Sequence, residues 1–135
     1  MTKNDIRGTD YMGRYGGYEF LIILLEFNKK EGEFLNDHAK KYNHIRQLIE
    51  DNTGEVLKKI KNDINKTDIK VGSAKLKITI TLGFSIFHSS VNFFDDMFSK
   101  ADKALYSAKQ KGRNCIAYSF DNDIHVLNDA EKNIC

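Results

Sequence analysis

At 135 residues, with 21 basic and 19 acidic side chains, the chain carries a formal net charge of +2. That length suits one hydrophobic core and is short for two. So slight a charge excludes a global electrostatic footprint for nucleic acid, and leaves any anion to be held by a local cluster of side chains.

Taken in order, Asp10–Tyr15 and Phe20–Leu25 are rich in the apolar and aromatic types that suit strands, with Gly16-Gly17 between them, and predict a β-hairpin. After a polar break at Asn28–Gly32, the spacing of Phe34, Leu35, Ala39, Tyr42, Ile45, Leu48 and Ile49 predicts an amphipathic helix from about Glu33 to Asp51. Val56, Leu57, Ile60 and Ile64 line a second short helix after Gly54, and Lys66–Asp68 and Gly72-Ser73 punctuate the stretch up to Lys75. Strict alternation from Leu76 to Leu82 is the clearest strand pattern in the chain. Ser90 or Asn92 then caps a helix whose stripe is Met97, Phe98, Ala101, Leu105 and Ala108, closed by Gly112 at C′. Asn114–Phe120 returns as a strand, and the polar residues 121–135 read as an exposed tail behind a domain of residues 1–120. Hairpin, helices, strand, helix, strand make an α+β fold, an antiparallel or mixed sheet with helices on one face.

Cys115 and Cys135 have neither a Cys-x-x-Cys motif nor a His cluster beside them. This argues against zinc and against a disulfide framework, and favours a reducing compartment. No apolar run reaches the roughly 18 residues of a membrane helix, and Met1–Asp5 is too polar for a secretory signal, so a soluble, cytoplasmic chain is expected.

Gly16-Gly17-Tyr18-Glu19-Phe20 resembles the signature of the GGDEF family, bacterial domains that condense two GTP into cyclic di-GMP, with Tyr18 standing where the family has Asp or Glu. Ala101-Asp-Lys-Ala-Leu-Tyr-Ser-Ala-Lys-Gln-Lys-Gly-Arg-Asn114 is similar to the family's A-D-x-A-L-Y-x-A-K-x-x-G-R-N helix nearly letter for letter, and Ile78–Gly83 to its T-I-S-I-G strand. The resemblance runs from Arg7 to about Phe120 and implies a nucleotidyl-cyclase-like fold with a ferredoxin-like core. The family's earlier strand and helix, bearing D-x-D-x-F-K-x-x-N-D, have no counterpart before Arg7. That strand lies mid-sheet in the family, so strand edges are expected to be exposed here and closed by homodimeric strand exchange, by the tail, or by a rearranged sheet.

By the same resemblance the missing strand and the position that Tyr18 holds here would supply carboxylates for Mg²⁺, which bridges phosphate oxygens as the 3′-hydroxyl attacks. Tyr18 has no carboxylate, only Glu19 is retained, and cyclase activity is therefore not expected. Gly16 and Gly17 would admit a nucleotide close to the backbone, with Lys109 and Arg113 on one helical face as a phosphate-contacting remnant. As separate features, the glycines read equally well as a tight turn and the cations as a solvated face. Arg7-Gly8-Thr9-Asp10 stands in the register of the family's product-binding R-x-x-D, where Arg7 would fork to guanine or phosphate and Asp10 accept from the guanine edge. His44 or Arg46 falls near the family's secondary arginine. Residues 120–129 faintly echo the absent acidic segment, a reading that would make Asp121 a metal ligand. Three functions are expected, in this order: a receptor for cyclic di-GMP, an interaction module without nucleotide, and a cyclase using GTP and Mg²⁺ whose missing parts come from elsewhere.

Overall fold

The structure is a computed structural model and describes residues 11–17, 19–23, 38–86 and 94–127. Two compact units, Met1–Val56 and Leu57–Cys135, divide the chain.

In the first unit, β1 (Tyr11–Gly16) and β2 (Glu19–Ile23) pair antiparallel as a sheet of their own, which is the hairpin expected from the flanking residue types. Helix α1 is described over His38–Ile49, inside the predicted span; the start expected at Glu33 lies outside the described residues. A break was expected near Gly54. Instead Glu50–Gly54 forms a π-helical segment whose flanking residues Ile49 and Glu55 both hold right-handed helical angles. Side chains one turn apart support this stretch: Gln47 Nε2 donates to Asp51 Oδ1 at 2.9 Å, and Asn52 Nδ2 to the Leu48 carbonyl at 2.8 Å. Asn52 thus meets a backbone carbonyl, and the helical path persists.

Helix α2 (Glu55–Lys66) comes next, and in the second unit its residues Leu57 and Ile60 are buried, on the stripe the sequence marks. Beyond it lie β3 (Ile69–Val71) and β4 (Ala74–Leu76), an antiparallel pair turning on Gly72 at φ 63°. The predicted strand Leu76–Leu82 is not one strand. Its ends belong to β4 and to β5 (Leu82–Ser85), and residues 77–81 between them carry no ladder. Alternation reports which side chains share a face; it does not supply the partner whose hydrogen bonds make a strand.

Helix α3 (Phe94–Gln110) crosses over to β6 (Ile116–Phe120), which lies parallel to β5 in the register Leu82↔Ile116 to Ser85↔Ser119. The proposed caps Ser90 and Asn92 lie outside the described residues. The tail expected from Asp121 is partly strand. Asp121 and Asn122 take φ 52° and 67°, a two-residue turn with both angles positive, and β7 (Asp123–Val126) runs back antiparallel along β6. Asp and Asn tolerate this conformation because their short side chains bond locally. β7 occupies the side of β6 opposite β5, so the described part of the tail does not close the edge of β5.

Two layers meet at β6. On the face toward α3, Ala104, Ala108, Cys115 and Ala117 form a cluster with Val126 packed against it. Small side chains let the helix lie close, and β5 carries the extreme case: a Cβ on Gly83 would collide with the Leu105 backbone and stand 2.6 Å from the Ala101 carbonyl oxygen. On the other face Phe84, Tyr118 and His125 occupy one cross-strand row, with ring centroids 5.0 and 5.2 Å apart and Tyr118 fully buried. Where the sequence argued against a disulfide framework, Cys115 is disulfide-bonded; the other cysteine of the sequence, Cys135, lies outside the described residues. The β6–β7 turn reverses the chain, and the Leu127 amide donates to the Ile116 carbonyl at 2.9 Å.

Candidate functional site

The glycine hairpin is built by β1 and β2, paired from Tyr11↔Ile23 to Arg14↔Phe20 before the register slips and Gly16 faces Glu19. Gly17 sits at φ 53°, a left-handed angle that glycine adopts without strain, and Arg14 Nε donates to its carbonyl at 3.2 Å. A Cβ at Gly16 or Gly17 would meet nothing within 4 Å. The backbone at this tip is therefore sterically open, the condition for a phosphate to approach main-chain amides. The exposed Glu19 is the acidic side chain of the two strands. Tyr18, Arg7 and Asp10 lie outside the described residues.

No group of three His, Cys, Asp or Glu side chains converges among the described residues. The shell of several carboxylates that the resemblance implies for Mg²⁺ is not offered by them, since the hairpin contributes Glu19 alone. Asp121, the alternative ligand, is an exposed turn residue with positive φ.

On α1, Arg46 Nη2 stands 3.4 Å from Glu50 Oε2, one turn along, with both side chains about a third exposed. His44 is half-buried, and its Nε2 is buried without a hydrogen-bond partner among the described residues. Such an unmet atom is destabilising by about 1–3 kcal/mol relative to a satisfied one.

In the second unit, α3 ends as the sequence predicts. The Arg113 amide donates to the Ala108 carbonyl at 3.1 Å and the Gly112 amide to the Lys109 carbonyl at 3.3 Å, the paired bonds of a Schellman cap with Gly112 at C′ and φ 114°. This corrects the reading of Lys109 and Arg113 as neighbours on one helical face. Lys109 is in the last turn, but Arg113 lies past the cap, exposed at φ 66°. Both cations still favour the negative end of the helix dipole, which accounts for them without any ligand.

Sequence reading missed how the cap is tied to the sheet. Asn114, at φ 53°, donates its amide to Thr81 Oγ1 at 2.9 Å, and Ser85 Oγ donates to the Met97 carbonyl at 2.7 Å. The glycine inside a strand pattern at Gly83 was the available signal that a helix backbone comes close there. An open groove beside α3, lined by Asp102, Lys103, Tyr106, Ser107, Gln110 and Ile124, also went unforeseen because β7 did.

Against known proteins, residues 45–115, which are 71 of the 135, match the family described as diguanylate cyclase, GGDEF domain. The diguanylate cyclase DosC of Escherichia coli K12 is 27% identical over 112 residues, covering 82% of this chain and 20% of that protein. Diguanylate cyclase A of Treponema denticola is 26% identical over 120 residues, covering 89% of this chain and 27% of its own. Among solved structures, the diguanylate cyclase SiaD of Pseudomonas aeruginosa, crystallised with its activator SiaC, superposes with a TM-score of 0.65 at 22% identity, over 87% of this chain and 37% of SiaD. The chain thus spans about a fifth to a quarter of the length of these curated relatives. No described helix is long and apolar enough to cross a membrane.

Proposed function

This chain belongs to the GGDEF family of diguanylate cyclase domains, and on that footing we propose that it works in cyclic di-GMP signalling as a receptor that does not itself make the nucleotide. One feature of the sequence carries the reading: in Gly16-Gly17-Tyr18-Glu19-Phe20, which resembles the family signature, Tyr18 stands where the family has an acidic residue. A phenol is neutral at physiological pH and offers Mg²⁺ no carboxylate, so the pairing of metal with triphosphate lacks a ligand in this chain. Binding of product requires no metal. Arg7 presents a planar fork to a guanine edge or phosphate, and Asp10, three residues on, accepts from guanine N1–H and N2–H₂. The sterically open tip at Gly16 and Gly17 is consistent with a relic of the substrate site.

Calorimetry with cyclic di-GMP tests this. Binding in the micromolar range, weakened about 10-fold or more in Arg7→Ala, is expected from the loss of a charge-assisted contact. No binding, or binding indifferent to Arg7→Ala, overturns it.

The short span of the relatives that this chain covers favours a second reading, a cyclase completed by residues outside this sequence. Product from GTP and Mg²⁺ would establish it. A third reading is an interaction module without nucleotide. It predicts that neither GTP nor cyclic di-GMP raises Tm, since any ligand well above its Kd stabilises the native state.

A further inference from the structure

Cys115 is the one cysteine among the described residues, and it is disulfide-bonded; the other cysteine of the sequence is Cys135. Three elements meet at Cys115. Its carbonyl accepts from the Leu82 amide at 3.0 Å where β5 begins, and its side chain, 5% exposed, packs with Ala104 and Ala108 of α3 and Ala117 of β6. The Sγ lies 3.5 Å from the Ala108 carbonyl oxygen. A disulfide sulfur has no proton to give that oxygen, whereas a thiol does, so the reduced side chain finds an acceptor already in place. Cys115 can therefore change oxidation state without leaving a buried polar group unmet.

The chain goes out along β6 and returns along β7, where the Leu127 amide donates to the Ile116 carbonyl at 2.9 Å and the Leu127 side chain is buried. Residues 128–135 have a contour of more than about 20 Å, ample for Cys135 to come within the roughly 5.5 Å Cα separation of a disulfide. We propose that Cys115 is bonded to Cys135, and that this bond is a redox-responsive clasp on β7, closed when oxidised and opened by a small-molecule thiol–disulfide couple.

With Cys115 buried, exchange begins at the Cys135 sulfur. A thiolate of the couple attacks and bonds to it, and the electron pair of the Cys115–Cys135 bond leaves on the Cys115 sulfur, which takes up a proton and donates it to the Ala108 carbonyl. A second thiol resolves the mixed disulfide on Cys135. Two small thiols thus become one small disulfide as the protein disulfide becomes two thiols, and oxidation is the reverse. The closed ring contains β6, its turn and β7, and removes entropy from every state in which β7 has left the sheet. Among the described residues β7 is paired with β6 alone, so opening the ring loosens β7 first, together with Val126 and Leu127. A lone disulfide in a chain whose cysteine usage suits a reducing compartment fits redox sensing better than a stapled scaffold.

The clasp stands apart from any nucleotide reading, and the full chain without nucleotide tests it. Mass spectrometry of proteolytic peptides from the oxidised protein should find Cys115 and Cys135 joined within a monomer. Equilibration with reduced and oxidised glutathione should interconvert the two forms while the far-ultraviolet circular dichroism stays that of a folded chain. Reduction should speed hydrogen exchange at the Leu127 amide about 10-fold more than at the Leu82 amide, because β7 opens locally while β5 stays on β6. Cys135→Ser should behave as the reduced protein and ignore the couple. A free Cys135 in the oxidised protein, a bond joining two chains, a reduced chain that unfolds, or equal acceleration at Leu127 and Leu82 overturns the proposal.

Discussion

Replacing Gly83 with alanine adds one methyl group where α3 crosses β5. The added carbon would stand 2.6 Å from the Ala101 carbonyl oxygen and closer still to the backbone of Leu105. Apolar atoms pack best at about 3.5–4.0 Å, so the helix must retreat by about 1 Å. No flexible side chain can yield instead, because both obstacles are main chain. The retreat loosens Ala104, Ala108 and Ala117, each 0% exposed, and stretches the 2.7 Å bond from Ser85 to Met97. Overpacking typically costs 1–3 kcal/mol; a backbone clash belongs at the top of that range, about 3 kcal/mol. That is a large share of the roughly 5–15 kcal/mol that hold a domain folded, and corresponds to a fall in Tm on the order of 10 °C. Urea and thermal unfolding monitored by far-ultraviolet circular dichroism measure it, with Gly16→Ala as the control, since a Cβ at Gly16 meets nothing within 4 Å. A Gly83→Ala protein within about 0.5 kcal/mol of the parent, the range of an ordinary surface change, would refute the close approach.

Thr81→Val keeps the shape but leaves the Asn114 amide without its acceptor, and should destabilise by about 1–3 kcal/mol in the same unfolding assay. Gly112→Ala forces a side chain into φ 114° at the end of α3, with an expected loss of about 1–2 kcal/mol and faster amide exchange in the last turn. Tyr18→Asp restores the family letter at one position only; chromatography of a reaction with GTP and Mg²⁺ should still detect no cyclic di-GMP. Product from that variant would show that Tyr18 alone blocks the chemistry.

The parts of the fold legible in the sequence are those written in local terms. Gly112 could be read as a helix terminus because left-handed backbone singles out glycine, and the hairpin around Gly16 because turn and flanking residues agree. Residues 77–81 misled because alternation is a property of one segment, whereas a ladder is a property of two. β7 was overlooked behind polar letters, although Asp121-Asn122 before Ile124 and Val126 spells a tight turn and a strand. In the candidate site, the openness of Gly16 and Gly17 could be read from composition, but the displacement of Arg113 past the cap could not. Four-residue spacing implies a shared face only while the helix lasts, and Gly112 ends it first.

The close crossing at Gly83 bears on what a sequence match to this family registers. Ala101 and Leu105 lie over Gly83, which offers no side chain, and Ala104 and Ala108 against a strand that offers Ala117. Half the letters by which α3 is recognised are thus clearance requirements, as binding on a chain that makes no nucleotide as on one that does. Lineages that lose the chemistry but keep the crossing would go on spelling this helix, so their kinship is inherited through steric fit while their activity is decided residue by residue elsewhere.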